Sequence, residues 1–247
     1  MGRSPHLCLH TGVADDPRLL LRRAELLGVL SLATDVGIGQ PMQYGLRTAI
    51  VAQRFAACLG LGPAAALEAR DVALLRWIGC TSHAHELSGW FGDELAARSR
   101  LVGQDLLAVI RPLWEILQHV GSAMEAGVDS PEATGRALGS MLGSGAEVAG
   151  GLAAALGFST DVRLALSCAF ERWDGAGPRS VAGAGLPMSL QIAQIVQDAE
   201  VFRGSAGLAA ASSVIAKRAG SAYDPELAAW YAARAEDLVA GLDEISP

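Results

Sequence analysis

The densest cluster of side chains able to hold a metal ion or move a proton is Cys80-Thr81-Ser82-His83-Ala84-His85-Glu86. Thiolate, neutral imidazole and carboxylate are the donors of zinc, iron and manganese centres, so a transition-metal site is the first chemistry to consider here. On a helix, Cys80 and His83 would share a face, as would Ser82 and Glu86, whereas His83 and His85 point apart. The run is therefore not an HExxH motif, whose two histidines stand one turn apart. A centre built on His83, His85 and Glu86 needs a further ligand from a distant segment, and Asp198 or Glu171 could supply it. The competing reading is architectural, with His85 and Glu86 capping or cross-linking helices around a bend at Gly79. Cys80 divides the same way. As a nucleophile it needs a pKa lowered by His83 or by a helix N-terminus; otherwise it is a small buried apolar side chain.

The frame that must position these groups is helical. With 51% hydrophobic and 18% charged residues, the 247-residue chain can bury a large core. Alanine and leucine dominate, and the apolar positions recur at helical rather than alternating spacing, which predicts an all-α fold, a compact multi-helix bundle. A net charge of −7 excludes a nucleic-acid-binding surface spread over the whole chain. The four cysteines, Cys8, Cys58, Cys80 and Cys168, form no CxxC pair and are expected to be reduced thiols. The N-terminal run lacks the layout of a signal peptide, and no stretch approaches the roughly 18 uninterrupted apolar residues of a membrane span. A cytoplasmic protein without membrane or nucleic-acid partners is expected.

Residues 1–15 read as an irregular leader and 16–247 as a single helical domain. The first helix should run to about Thr34 and break at 35–41, where two glycines and Pro41 interrupt it. A second is expected over 42–61 and a third over 64–78, followed by a bend at Gly79 and a restart near His83. Further helices are predicted at about 93–110, 112–126, 131–157, 159–172, 187–203, 205–219 and 224–241. The glycine-rich stretch 174–187 stays irregular; a connection of that length in a compact domain is frequently functional. Small residues from Gly139 to Ala149 would also allow a close helix contact in a homodimer.

The run Phe170-Glu171-Arg172-Trp173-Asp174-Gly175-Ala176-Gly177-Pro178 resembles the HHERWDGxGYP stretch of HD-GYP domains, a branch of the HD phosphohydrolases. The order of the surrounding features agrees over about residues 40–230. Ile195-Val196-Gln197-Asp198-Ala199-Glu200-Val201-Phe202 is similar to the aspartate-bearing helix after the family's glycine loop, and Tyr223-Asp224-Pro225-Glu226-Leu227 is similar to its FDPEL segment. The pattern also looks like the HD-type domains of actinobacterial regulators that carry a LuxR-type DNA-binding module; no such module is recognised in these residues. The resemblance implies a helical metal-dependent phosphohydrolase, in many members a cyclic di-GMP phosphodiesterase using iron or manganese.

At the ligand positions the sequence departs from that pattern. The family's opening histidine falls on Tyr44, with the matching arginine kept at Arg47. Its His-Asp pair falls on Arg76-Trp77, its paired histidines on Ala169-Phe170, and its Gly-Tyr-Pro on Gly177-Pro178 without the tyrosine. Asp198 alone is kept among the ligand positions implied. Guanidinium stays protonated and has no acceptor, so Arg76 cannot ligate a cation. These replacements imply a ligand pocket of Tyr44, Arg47, Arg76, Trp77, Cys80, Glu171 and Asp198, with an Arg76–Glu171 pair filling the space of the metal and an Arg172–Asp174 pair pinning the loop. The domain is then a catalytically degenerate regulatory module that takes a small, anionic ligand or a partner protein and carries no cofactor. The alternative is a phosphohydrolase or HD-type oxygenase whose iron, manganese or zinc centre is rebuilt from His83, His85, Glu86 and Asp198.

Overall fold

The computed structural model describes residues 23–91, 93–105, 110, 112–115 and 129–244. The predicted leader at 1–15 and most of the predicted helix at 112–126 lie outside the described residues. Ten α-helices and no strand are found among the described residues: α1 (Arg23–Gly37), α2 (Tyr44–Cys58), α3 (Pro63–Leu75), α4 (Ala84–Phe91), α5 (Glu94–Leu101), α6 (Pro131–Ala155), α7 (Thr160–Ser167), α8 (Met188–Ala206), α9 (Leu208–Lys217) and α10 (Pro225–Val239). A 3-10 segment, Ile78–His83, joins α3 to α4. The starts follow local chemistry. Ser130, Ser159 and Asp224 each accept a hydrogen bond from the first turn of α6, α7 and α10, and Pro63, Pro131 and Pro225 sit where the missing N–H costs nothing. None of these helices is long and apolar enough to cross a membrane.

The centre of the bundle is α8. Leu190, Ile192, Ala193, Ile195, Val196, Gln197 and Ala199 are all buried, so this helix is covered on every side rather than along one stripe. Around it pack α2, α3 and α9, and the stacked rings of Phe55 and Trp230, with centroids 5.0 Å apart, fasten α10 to α2.

α1 runs through Asp35 and Val36 to Gly37, three residues past the predicted stop at Thr34 and into the predicted break. Beyond shifts of two or three residues, three further boundaries differ from the sequence expectation, each for a local reason. α3 stops at Leu75 and the chain tightens into the 3-10 turn, bringing Gly79 against Gly145 of α6. α7 stops at Ser167 rather than near 172, so Ala169, Phe170 and Glu171 turn inward and are buried. α5 ends at Leu101, and Gly103 adopts φ 78° where an added Cβ would lie 3.0 Å from Val201 Cγ1.

At the α1–α2 corner the Asp35 carboxyl is only 2% exposed. Its Oδ1 accepts the Gly45 amide of α2 at 3.0 Å, while Oδ2 has no hydrogen-bond partner. Burial pushes its pKa up to about 7, against the pull of the amides of Gly45, Gln43 and Tyr44. A folded-state value above the unfolded one means that the folded chain binds the extra proton. Stability from this group is therefore fully present below the unfolded value near 3.8 and is lost as pH rises through 7. The urea midpoint at pH 5 should exceed that at pH 8 by the equivalent of about 2–3 kcal/mol from this carboxyl. Asp35→Asn keeps an oxygen for Gly45 and should flatten that slope; an unchanged slope in the variant would place the proton elsewhere.

Candidate ligand-binding site

A cavity of about 770 Å³ opens between the 3-10 turn, α5, α6, the exit of α7 and α8. Arg76, at the end of α3, is 7% exposed and stands on its wall. Its Nε donates to Ala169 O at 2.8 Å and its Nη1 to Gln197 Oε1 at 2.9 Å. Gln197 in turn donates to Ala73 O at 2.8 Å and receives the Tyr44 hydroxyl on its own carbonyl at 3.1 Å. The guanidinium lies over the rings of Trp77 and Phe170, 4.7 and 5.6 Å from their centroids. A rigid cation therefore sits at the meeting point of α3, α8 and the α7 exit. It has no carboxylate within ion-pair distance among the described residues, and its Nη2 makes no hydrogen bond to them.

Glu171 is 2% exposed and also reaches the cavity, but it does not pair with Arg76 as expected. Its carboxylate accepts the backbone amides of Arg179 at 2.7 Å and Val181 at 3.1 Å and so pins the glycine-rich loop. The turned backbone after α7 aims Glu171 at the loop, and a glycine at 177 is what allows the approach: an added Cβ would stand 2.6 Å from Glu171 Cα. The expected Arg172–Asp174 pair forms, at 3.0 and 2.8 Å, and Arg172 also holds Asp105 at 2.7 Å. Asp198 lines the cavity with its carboxylate engaged: Tyr223 Oη donates to Oδ2 at 2.5 Å and Arg218 Nη1 lies at 3.3 Å.

Of the seven residues expected to form the pocket, Arg76, Trp77, Cys80, Glu171 and Asp198 share this cavity, while Tyr44 and Arg47 do not line it. Tyr44 is a layer further in, packed with Ile38, Val102 and Trp77, and burial together with the Asp198 charge holds its phenol protonated. Arg47, one turn along α2, faces the C-terminal side, where it holds Glu200 at 2.7 Å and Asp243 at 2.6 Å. Burial pushes the Cys80 thiol up to about 12 despite the nearby charges of Arg76 and Arg98, so it is no thiolate nucleophile at neutral pH.

The rebuilt metal set does not assemble. His83 lines the cavity, but His85 and Glu86, at the start of α4, are exposed, and Asp198 is held by Arg218 and Tyr223. The divergence of His83 and His85 read from the spacing is what separates them. Among the described residues no three His, Cys, Asp or Glu side chains are placed to hold one ion, and a guanidinium stands where the resemblance puts the family's His-Asp pair. The residues present do not fit that metal centre.

His83 Nε2 instead lies 3.0 Å from Ser144 Oγ, with Glu86 Oε1 3.9 Å from its Nδ1. The order Ser–His–Glu invites a nucleophile, but Ser144 lies inside α6 and its hydroxyl also reaches Ser140 O at 3.1 Å and Met141 O at 3.2 Å. With the hydroxyl proton on those carbonyls, Oγ accepts from His83, and mid-helix amides engaged in the helical ladder offer no oxyanion hole. The pair joins the 3-10 turn to α6.

Neither a family model nor a curated protein matches the sequence. The structure is similar to the crystal structure of a cyclic GMP-AMP-specific phosphodiesterase of V. cholerae, V-cGAP3, with a TM-score of 0.59 and 21% identity over 90% of this chain. The two share an all-α helical-bundle fold. The match covers 49% of the other chain, so this chain spans about half the length of that phosphodiesterase.

Sequence reasoning missed Arg98, Arg136, Arg179 and Arg218 on the cavity wall. Together with Arg76 and Arg172 they set six arginines against four carboxylates there among the described residues. No motif marks them, because they come from separate helices and loops that only the fold brings together.

Proposed function

We propose that this HD-type domain is a regulatory module that binds a small anionic molecule in its central cavity and does not carry out metal-dependent phosphohydrolysis. The observation behind this reading is the Arg76 guanidinium, clamped by Ala169 and Gln197 at the place of the family's metal-binding pair, with no carboxylate paired to it among the described residues. Guanidinium attracts carboxylate and phosphate and repels metal cations, so the replacement changes which charge the site accepts. The cavity volume lies within the usual range for small-molecule sites, about 300–1,000 Å³. Elemental analysis of protein purified without a histidine tag should find iron, manganese and zinc well below one equivalent per chain. A stoichiometric transition metal would overturn the reading in favour of a rebuilt catalytic centre.

A further inference from the structure

The cavity wall carries a second arginine whose environment is unusual. Arg98 of α5 is 6% exposed, and its Nη1 donates to Gly37 O at 3.0 Å. Its Nε and Nη2 are buried without a hydrogen-bond acceptor, and the nearest carboxylate oxygen, Glu94 Oε2, is 3.5 Å from Nη2. Buried guanidinium nitrogens without acceptors are costly, and an anion entering the cavity satisfies them once Arg98 turns its guanidinium toward the space it lines. Arg98 and Arg76 lie on the same cavity, and the charges of both act on Cys80, which lines it too. Of the other charges on the wall, Arg172 is matched by Asp105 and Asp174, Asp198 by Arg218, and Glu171 by the loop amides, whereas Arg136, Arg179 and Glu147 have no ion pair among the described residues and Arg98 keeps only its contact with Glu94.

Beside these charges the wall carries a continuous apolar stretch. Leu87, Leu101, Leu138, Met141 and Leu142 line it beside Phe170. Leu142 packs with Trp77, Cys80 and Phe170, so aliphatic surface begins directly beside the Arg76 cation. A polyanion would leave this surface wet, whereas a ligand with one anionic head and an apolar body would use both parts.

We infer that the cavity takes an amphipathic anion, its carboxylate or phosphate head between Arg76 and Arg98 and its aliphatic body along Leu138 and Leu142. This deepens the proposed ligand-binding function and rests on it. The test is calorimetric titration of the full chain with hexanoate, octanoate, decanoate, decyl phosphate, decanol and inorganic pyrophosphate. Each added methylene should tighten carboxylate binding about three- to fourfold. Decanol should bind at least tenfold more weakly than decanoate, and high salt should weaken decanoate but not decanol. Comparison of decanoate with decyl phosphate tells which head the two arginines prefer. Arg98→Gln should weaken decanoate at least tenfold and leave decanol unchanged, with Arg98→Lys, which keeps the charge, as the folded control. Equal binding of decanol and decanoate, or affinity indifferent to chain length, would overturn the inference. Tight pyrophosphate binding without decanoate binding overturns the amphipathic class and leaves the regulatory reading standing. Binding of none of these anions counts against both, whereas stoichiometric metal in the elemental analysis removes the regulatory reading itself.

Discussion

Arg76→Met should lower the unfolding free energy by about 3 kcal/mol or more, although methionine nearly matches the apolar length of the side chain it replaces. The loss comes from what stays behind. Ala169 O and Gln197 Oε1 are both buried and both take a hydrogen bond from this guanidinium, at 2.8 and 2.9 Å; without it Gln197 Oε1 has no donor among the described residues and Ala169 O keeps only the longer bond from Gln194 Nε2 at 3.4 Å. A buried acceptor stripped of its donor costs about 1–3 kcal/mol, and the cation–π contacts with Trp77 and Phe170 add about 1 kcal/mol. Gln197 cannot simply turn away, since its amide nitrogen is committed to Ala73 O. Urea denaturation at pH 7 followed by circular dichroism measures the change. Arg76→Lys, keeping the charge but able to serve fewer acceptors, should fall between the two. A methionine variant as stable as the parent would mean that the guanidinium is a space filler and that the proposed anion site lacks its built anchor.

This side chain also marks how much could be read from the sequence. The helical class, the order of the helices, the bend at Gly79 and the irregular 174–187 stretch were all legible, because periodicity, caps and glycine–proline breaks are local signals. The ERWDG run located part of the wall of the candidate site, Glu171 and Arg172, and the Asp174 carboxylate that holds Arg172. What stayed illegible was who pairs with whom. Arg76 and Glu171 suit one another as charges, yet the end of α7 at Ser167 turns Glu171 toward the amides of Arg179 and Val181. Arg47 follows Tyr44 by three residues, roughly 60° around α2 and a turn along it, which is enough to move it to Glu200 and Asp243. Asp198 was recognisable as a kept carboxylate, but its partners, Arg218 and Tyr223, come from the far end of α9 and the turn after it. Arg98 has no sequence neighbour that marks it; only the approach of α5 to the end of α1 brings it to the cavity.

That approach, and the cavity with it, depends on how closely the 3-10 turn sits on α6, and a single methyl group should upset it. Gly79→Ala would place a Cβ 1.9 Å from Gly145 O and 2.7 Å from Gly145 C, inside any tolerable contact and against backbone that no rotamer change can move. The turn and α6 must then separate by more than an ångström. The expected cost is about 3–5 kcal/mol, at the severe end for a single substitution. Separation also breaks the His83–Ser144 hydrogen bond that spans the same interface at 3.0 Å. The reciprocal change has a different outcome. A Cβ on Gly145 would lie 3.4 Å from Gly79 O and 3.9 Å from His83 Nε2, ordinary contact distances, and alanine favours the interior of α6 by about 1 kcal/mol over glycine. Gly145→Ala should therefore be neutral or slightly stabilising while Gly79→Ala is severely destabilised, as thermal or urea unfolding of the two variants would read directly. Equal effects from both would mean that the turn does not rest on α6 through Gly79. Binding of the proposed ligand should follow the same asymmetry, because the displaced turn carries Cys80 and His83 on the cavity wall.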